Sequence, residues 1–414
     1  MGQSTYPTPS AGASYSSQPP ANASSVLLDG QLVSSGSYSS TITATGAPLY
    51  LYANGAGGAT FTIGTDNYTV TAGSTVGTSA YSGSKSVTVA ASITGTPSSW
   101  TTSTITGGSN SPKQAIYGAS TWVLLTTSTT GLYSTNNGSS WSTMTLPGAY
   151  LWRGSFGNGY FVIVNPVNST TAYSTNGITW TSGGNLPFSY SNTNTAYGTN
   201  GFVCFYYGST SGAISTNNGT SWSSITLPSS LYWDGITYGN GYYVGFGGWP
   251  SSSYNASTGV YSNNGTTWTS MSLPSSSQWG ECAYGNGTYV VISQVNTGTA
   301  AYSTNATTWT STTLPFNGLS NYTANSIAYG AGYFVVTAQN ATTPCKGCYS
   351  TNGSTWTLTN MNSSSALTYA IGYGNLTFIA VSTFNGSGAY ASSYSFNQPL
   401  PVAFGIYNGP TTTH

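Results

Sequence analysis

The sequence predicts an all-β fold: a seven-bladed β-propeller that follows a small N-terminal β-sandwich-like domain and an extended N-terminal arm. Three observations predict it: a repeat of about 40 to 45 residues, Asn-Gly turn signals within each repeat, and no stretch with the 3.6-residue apolar period of a helix. The composition agrees, because 53 Gly and 34 Tyr in a background of Ser, Thr and Asn favour turns and strands.

The composition divides the 414 residues into four parts. Residues 1–25 are rich in Ser, Pro, Ala and Gly, which predicts an extended arm. Residues 26–97 contain short alternating runs separated by turn signals, which predicts a small β domain. Residues 98–401 are predicted to form the propeller, and residues 402–414 are expected to be a C-terminal tail.

Two repeated phrases define the propeller. The first reads Tyr-Ser-Thr-Asn-Asn-Gly-Ser-Ser-Trp at 133–141, and its Trp recurs every 39 to 47 residues. The second is an aromatic residue and Gly, then a turn, then an apolar run. The first phrase centres on Trp141, Trp180, Trp222, Trp268, Trp309 and Trp356. The second begins at Tyr117, Phe156, Tyr197, Tyr238, Tyr284, Tyr329 and Tyr373, which gives seven units.

Each unit is interpreted as four short strands. Strand A ends in the aromatic-Gly pair, a tight turn follows, and strand B is the apolar run. Strand C ends in Tyr-Ser-Thr-Asn, and strand D runs from near the Trp to Leu-Pro. Four strands in about 40 to 45 residues is the size of one propeller blade.

The ring must also be closed. Trp100–Ile105 has the spacing of an isolated strand D, so we expect it to complete the last blade. The competing closure uses Phe396–Pro401, which also ends in Leu-Pro.

The first phrase resembles the Asp-box, or BNR, repeat of sialidase-like propellers, whose pattern is Ser-x-Asp-x-Gly-x-x-Trp. Ser134, Asn136, Gly138 and Trp141 match its spacing. The resemblance covers about residues 100–400 and implies the propeller fold, with the box as a structural turn. Asn accepts the same local hydrogen bonds as Asp, so the turn can survive the replacement. Asn stands in place of the box Asp in all six copies, at Asn136, Asn176, Asn217, Asn264, Asn305 and Asn352.

Charged residues are scarce: four Lys or Arg, four Asp or Glu, and a single His, His414. We therefore expect no nucleic-acid partner, no metal and no cofactor. No apolar run reaches the length of a membrane span, so we expect no membrane insertion. Sialidase catalysis needs an arginine cluster, whereas this chain has one arginine, Arg153. Asp234 and Glu281 are the only carboxylates within the predicted propeller; we expect each to make a local hydrogen bond with the backbone at a blade entrance, and we expect no enzyme.

Aromatic residues concentrate in the D–A connections and the B–C loops, which emerge on one face of a propeller. Tyr and Trp rings suit the apolar faces of sugars, and hydroxyls, amides and a few charges suit the sugar rim. We expect about half of these rings to pack between blades instead. The candidate glycan-binding residues are Tyr150, Trp152, Arg153, Tyr190, Tyr232, Trp233, Asp234, Trp249, Trp279 and Glu281.

The four cysteines do not form a recognisable metal motif. Cys204 and Cys282 lie in apolar strands, where buried thiols are expected. Cys345 and Cys348 lie in one B–C loop; a disulfide and two reduced thiols both remain open.

The sequence favours a bacteriophage virion protein: a tail fibre, tail-tip or head fibre that binds a host-surface receptor, for which a glycan is the expected class. The arm would mount it on other virion proteins, and a homo-oligomer is left open. The start of the sequence lacks the regions of a secretory signal, so we expect synthesis in the host cytoplasm and a place on the virion exterior. The alternatives are a structural decoration or spacer protein, and a secreted lectin or glycoside-active enzyme.

Overall fold

A computed structural model shows two compact units, one formed by residues 1–96 with 395–414 and the other by residues 97–394. It contains strands and turns, with no helix in the residues it describes. Those residues are 24–28, 37–53, 59–63, 65–70, 75–91, 96–105, 112–148, 152–165, 167–188, 195–248, 255–295, 298–316, 319, 322–339, 346–361, 367–384, 388–396 and 404–408.

The first unit contains one six-stranded antiparallel sheet, where the sequence predicts a small β-sandwich-like domain. Its two longest strands, β2 (Ser37–Ala53) and β5 (Thr75–Ala91), have 17 residues each and pair along most of their length. The strand order is β1 (Ser24–Leu28), β34 (Phe404–Asn408), β2 (Ser37–Ala53), β5 (Thr75–Ala91), β3 (Ala59–Ile63) and β4 (Asp66–Val70).

The C-terminal segment differs from the expectation for residues 402–414. Phe404–Asn408 is a central strand of the first unit, paired antiparallel with both β1 and β2. Its sequence, Phe-Gly-Ile-Tyr-Asn, contains a β-branched residue and two aromatic residues, which are enriched in strands.

The second unit is a seven-bladed β-propeller, as the repeats predict. Each blade is a four-stranded antiparallel sheet. Blade 1 contains β7 (Pro112–Gly118), β8 (Thr121–Thr126), β9 (Thr130–Ser134) and β10 (Ser142–Thr145); blade 2 contains β11 (Arg153–Gly157), β12 (Tyr160–Val164), β13 (Thr171–Ser174) and β14 (Thr181–Ser182). Blade 3 contains β15 (Ala196–Gly198), β16 (Gly201–Phe205), β17 (Ser209–Ser215) and β18 (Ser223–Leu231); blade 4 contains β19 (Trp233–Gly239), β20 (Tyr242–Gly247), β21 (Ala256–Ser262) and β22 (Thr269–Ser277). Blade 5 contains β23 (Trp279–Gly285), β24 (Thr288–Ser293), β25 (Thr299–Ser303) and β26 (Thr310–Thr313); blade 6 contains β27 (Thr323–Gly330), β28 (Tyr333–Gln339), β29 (Lys346–Ser350) and β30 (Thr357–Asn360). Blade 7 contains β31 (Leu367–Gly374), β32 (Thr377–Phe384), β33 (Gly388–Ser395) and β6 (Thr101–Ile105).

The fourth strand of blade 7 comes from the start of the propeller sequence. β6 pairs antiparallel with β33, with Ile105 opposite Ala389 and Thr101 opposite Ser393. Trp100, just before β6, is buried and donates its indole N–H to the Pro97 carbonyl at 3.1 Å. The last blade therefore joins the two ends of the propeller chain. In the competing closure segment, residues 397–401 lie outside the described residues.

The first strand of each blade lies at the axis, where it contacts the first strand of the next blade. The aromatic-Gly pair explains this close approach. A Cβ atom placed on Gly239 would lie 2.0 Å from Cγ of Tyr284, the aromatic residue of the next blade. The same contact repeats around the ring and closes between Gly374 and Tyr117. Glycine is therefore required at this position because the ring of the next blade fills its side-chain space.

The second strands carry the core. Every residue of β8 and of β24 is buried, because neighbouring blades cover both faces of each sheet. Between blades 3 and 4 the rings of Phe205 and Trp268 meet edge to face, with centroids 4.9 Å apart. Most box Trp residues pack in such clusters between adjacent blades and thus hold the blades together.

The Asn-containing boxes form compact turns. Asn264 Oδ1 accepts the backbone N–H groups of Thr266 at 2.9 Å and Thr267 at 2.8 Å, and a hydroxyl hydrogen bond from Ser262 at 3.0 Å. The same Ser–Asn bond is present in all six boxes. The amide oxygen thus supplies the acceptor that the turn requires.

Cys204 has the predicted environment, a buried thiol in a strand. Cys282, which was also predicted to be buried, is a half-buried residue of β23. Cys348 is a buried free thiol in strand β29, where the sequence predicts a loop. Cys345 lies outside the described residues.

Candidate functional site

The inner strands surround a cavity of about 270 Å³ at the propeller axis. Residues of β7, β11, β19, β23, β27 and β31 line it, together with Thr195 next to β15, so all seven blades contribute. Its uncharged polar side chains include Gln114, Ser155, Thr195 and Ser326. The cavity is slightly smaller than the roughly 300–1,000 Å³ of usual ligand pockets, which limits an occupant to a small molecule or one residue of a polymer.

Four of the eight charged residues of the chain lie at the starts of inner strands around this cavity. Lys113 of β7 and Glu281 of β23 line it directly. Arg153 of β11 hydrogen-bonds to the backbone of Lys113, and Asp234 of β19 lies against Gly280, the residue before Glu281. The structure therefore brings together the predicted Arg153, Asp234 and Glu281, and places them within strands instead of in connections.

Lys113 is the member of this group that the sequence analysis missed. A signal was present, because Lys113 stands four residues before the aromatic Tyr117, and Asp234 stands four residues before the aromatic Tyr238. Aligning all inner strands on the aromatic-Gly pair would have found it.

β-Bulges place three of the four charges. The ladder registers shift between Pro112 and Gln114, between Trp233 and Gly235, and between Trp279 and Cys282. Lys113, Asp234 and Glu281 lie within these shifts. A bulge adds an extra residue to one strand and changes the direction of its side chain. The irregular start of the inner strand thus distinguishes these positions from the regular ladder below them.

The basic side of the cavity is formed by blades 1 and 2. Arg153 Nη1 donates to the Lys113 carbonyl at 3.3 Å. The Gln114 side chain bridges the same two strands: its Nε2 donates to the Gly154 carbonyl at 2.9 Å, and its Oε1 accepts the Gly154 N–H at 2.8 Å. Burial, and then the charge of Arg153, lower the pKa of Lys113.

The acidic side is formed by blades 4 and 5. Burial is the main cause that raises the pKa of Asp234 to about 7, and the nearby Glu281 raises it further, while Arg153 and a hydrogen bond with Gln294 oppose the shift. A Cβ atom on Gly280 would lie 2.7 Å from Asp234 Oδ2, so this glycine lets the carboxyl approach the neighbouring blade. Near neutral pH Asp234 can therefore donate or accept a proton.

Cys282 lies beside the acidic pair but is a poor nucleophile. Burial, followed by the charges of Glu281 and Asp234, raises the pKa of its thiol well above the ordinary value. A thiol of this kind stays protonated, and only the thiolate attacks substrates or binds metals.

The structure corrects the prediction that three of the Trp rings bind sugar. Trp152, Trp233 and Trp279 are fully buried between blades and cannot offer a ring face to a ligand. Each indole N–H donates to a backbone carbonyl, those of Gly148 at 2.8 Å, Ser209 at 2.8 Å and Ser275 at 3.2 Å, respectively. In the sequence these three Trp residues stand next to connections, which favours exposure. In the structure they lie at the start of an inner strand, where the backbone directs the side chain into the core between two blades.

Partly exposed aromatic residues remain on the same end of blades 2 to 4. Tyr232 is half-buried and meets Tyr207 edge to face, with ring centroids 4.8 Å apart. Phe188 stacks on Tyr206 at 5.2 Å. The other predicted rings, Tyr150, Tyr190 and Trp249, lie outside the described residues.

Other kinds of site find little support in the part of the chain that the structure describes. Within it, no three His, Cys, Asp or Glu side chains are grouped closely enough to hold a metal ion. Nor does any helix in that part have the length and hydropathy to cross a membrane.

The fold and its axial cavity place the chain among seven-bladed β-propellers. No family model and no curated protein matches it. Several solved structures are similar to the chain. A streptogramin B lyase is 13% identical over 71% of this chain and 97% of its own, with a TM-score of 0.58. YCF48 bound to a D1 peptide is 14% identical over 73% and 96%, with a TM-score of 0.55. YCF48 from Cyanidioschyzon merolae is 12% identical over 71% and 98%, with a TM-score of 0.51. Identities this low show a shared fold alone.

Proposed function

We propose that this chain is a receptor-recognition protein of a bacteriophage particle, and that it binds a host-surface glycan at the end of the propeller where the axial charges lie. The observation that carries the proposal is the concentration of four of the chain's eight charges around one cavity. Functional sites are where proteins retain buried charges and perturbed pKa values.

The surroundings of the cavity support a glycan as the ligand. Hydroxyl and amide side chains line the cavity, and the Tyr207–Tyr232 pair lies at the same end of the propeller. Sugar hydroxyls need many neutral donors and acceptors, and Tyr rings suit their C–H faces.

The composition supports a location on the exterior of a bacteriophage particle. With only 2% charged residues, the protein must remain hydrated mainly through hydroxyl and amide groups. Diffusing proteins ordinarily use charge to keep their surfaces apart, and an assembled exterior protein needs this less.

Adsorption of the purified protein to host cells tests the proposal. We expect the wild type to bind cells and to compete with the phage, and Lys113→Gln and Tyr232→Ala to weaken binding at least tenfold. Lys346→Gln is the matched control, since it removes the same charge from β29 of blade 6, away from the cavity. Equal binding by all variants would reject the axial cavity as the binding site. A wild type that neither binds cells nor competes with the phage would favour the structural decoration or spacer role.

A glycoside-active enzyme is the second candidate, because Glu281 lines the cavity and its carboxyl group interacts electrostatically with that of the neighbouring Asp234. Glycosidases use one protonated and one ionised carboxyl group. This candidate requires turnover of an oligosaccharide that Asp234→Asn abolishes and Lys346→Gln does not. Tight binding without any turnover would reject it.

A further inference from the structure

Asn-Gly pairs lie in two different settings of the propeller. One setting is the two-residue turn between the inner strand and the second strand of a blade, called the inner turn below. The other setting is the box. The exposed inner-turn pairs are Asn158-Gly159, Asn240-Gly241 and Asn286-Gly287. The box pairs begin at Asn137, Asn176, Asn218, Asn264 and Asn352. In any Asn-Gly pair the backbone nitrogen that follows the asparagine is sterically open to its side chain, because glycine has no side chain of its own.

The box restrains both groups of its Asn-Gly pair. Asn264 Oδ1 accepts two backbone N–H groups, and the Gly265 N–H donates to Ser262 Oγ at 2.8 Å. The bond from the Gly N–H to the Ser hydroxyl is present in all five of these boxes, at 2.8 to 2.9 Å. The inner-turn pair Asn200-Gly201 is restrained differently, since Gly201 is buried within β16.

The three other inner turns leave the same groups open to water. Gly159, Gly241 and Gly287 are exposed, and a Cβ atom on any of them would meet nothing within 4 Å. Their N–H groups have no acceptor among the residues that the structure describes. The asparagine before each glycine is also exposed and has a left-handed φ of 43° to 50°, a conformation that Asn tolerates in turns.

Side-chain hydrogen bonds rank the three exposed asparagines. Asn158 Nδ2 donates to Asn218 Oδ1 at 3.0 Å. Asn286 Nδ2 donates to the Thr351 carbonyl at a longer 3.5 Å. The side chain of Asn240 has no hydrogen-bond partner in the described part of the chain. Asn240 therefore has the fewest contacts to break before its side chain can react.

We propose that Asn158, Asn240 and Asn286 are self-modification sites, where the chain converts asparagine into aspartate or isoaspartate while the box asparagines stay intact. The glycine nitrogen attacks Cγ of the preceding asparagine and forms a new C–N bond. The Cγ–Nδ2 bond breaks, and the amide nitrogen leaves as ammonia with the proton of the glycine N–H. Water then opens the resulting succinimide ring at one of its two carbonyl carbons. Water is the only other reactant.

The reaction adds charge to one end of the propeller. The inner turns follow the aromatic-Gly ends of β11, β19 and β23, at the opposite end from the bulges that contain Asp234 and Glu281. Each product is a carboxylate, which is ionised at neutral pH. Three such events, at one negative charge each, change the formal net charge of the chain from 0 to −3. The inference is independent of the proposed glycan site, which lies at the other end of the inner strands.

Incubation of the full chain at about pH 8, followed by peptide mapping with mass spectrometry, tests the inference. Asn240 should react first, and all three sites should deamidate at least about tenfold faster than Asn176, Asn264 and Asn352, because attack in a box requires local opening. Isoelectric focusing should resolve up to three successive acidic species. Equal rates in inner turns and boxes would overturn the inference. So would an intact Asn240 after a time in which the urea-unfolded chain has reacted.

Two further measurements assign the contrast to the fold. Ser262→Ala removes the acceptor for the Gly265 N–H, so Asn264 should deamidate about tenfold faster, while Asn176 and Asn352 in the same molecules keep their rates. An unchanged rate at Asn264 would contradict the restraining role of this bond. In urea all Asn-Gly pairs should react at similar rates. A difference between turns and boxes that persists in urea would trace it to neighbouring residues and reject the structural explanation.

Discussion

Asp234 shows how burial changes the chemistry of one residue. Its pKa is raised from 3.8 to about 7 by burial and by Glu281, against the opposing effects of Arg153 and Gln294. Between these two values the folded protein holds a proton that the unfolded chain has released. Stability must therefore fall as the pH rises from about 4 to 7 and level off above the folded pKa.

We predict that Asp234→Asn removes this fall. The variant should be more stable than the wild type at pH 8 by about 1–3 kcal/mol, because the amide has no ionised form to bury. Urea unfolding of the propeller at several pH values measures the effect. Asp66→Asn, in the other unit, should keep the wild-type slope. A wild-type slope in Asp234→Asn would show that other groups control the pH dependence.

Gly239 occupies a position where a neighbouring ring leaves no room for a side chain. Its neighbour Tyr284 fills the position that a side chain would take. We predict that Gly239→Ala lowers the free energy of unfolding by about 3 kcal/mol or more, since ring and backbone must both move. Thermal unfolding measures the loss.

Gly148→Ala is the matched control for this glycine. Its added Cβ atom would lie 3.7 Å from Trp152, an ordinary contact distance. The substitution should be neutral or slightly stabilising, because it restricts the unfolded chain. Equal losses in the two variants would argue against the packing role of the aromatic-Gly pair.

At the scale of the element, the box turn depends on one side-chain oxygen. Asn264→Ala removes the acceptor for two backbone N–H groups, and we predict a loss of about 1–3 kcal/mol in the free energy of unfolding. Asn264→Asp keeps the acceptor and should remain within about 0.5 kcal/mol of the wild type. Guanidinium unfolding compares them; an Asp variant as unstable as the Ala variant would mean that the amide N–H₂ group matters instead.

The inner strand is the element that organises the site. One end of this strand is the aromatic-Gly pair, a local pattern that recurs in the sequence of all seven blades. Its opposite end contains the bulges at Lys113, Asp234 and Glu281, and an irregularity of one residue gives no periodic signal. For this reason Arg153, Asp234 and Glu281 could be predicted as site residues from the sequence, whereas their position within bulged strands could not.

At the scale of the whole molecule, strand β6 closes the ring. Ile105 is buried among residues of blades 1 and 7, including Trp122 and Val381. We predict that Ile105→Ala lowers the free energy of unfolding of the entire propeller by about 2–4 kcal/mol, because opening blade 7 exposes both of its neighbours. Equilibrium unfolding monitored by tryptophan fluorescence should keep a single transition.

The exposed Thr101 in the same strand is the control, and Thr101→Ala should change the free energy of unfolding by less than about 0.5 kcal/mol. A separate early transition in Ile105→Ala, with the other blades intact, would show that the blades unfold independently.

Local sequence patterns were sufficient to predict the blades. Repeated turns, apolar runs and aromatic-Gly pairs each act over a few residues, so the seven blades and the Ser–Asn turns could be predicted from the chain alone. Burial and long-range pairing depend on what packs against a segment. Only the tertiary structure therefore decided that Trp152, Trp233 and Trp279 belong to the core and that Phe404–Asn408 is a strand. It also decided that Lys113 lies beside Arg153 and lines the same axial cavity as Glu281.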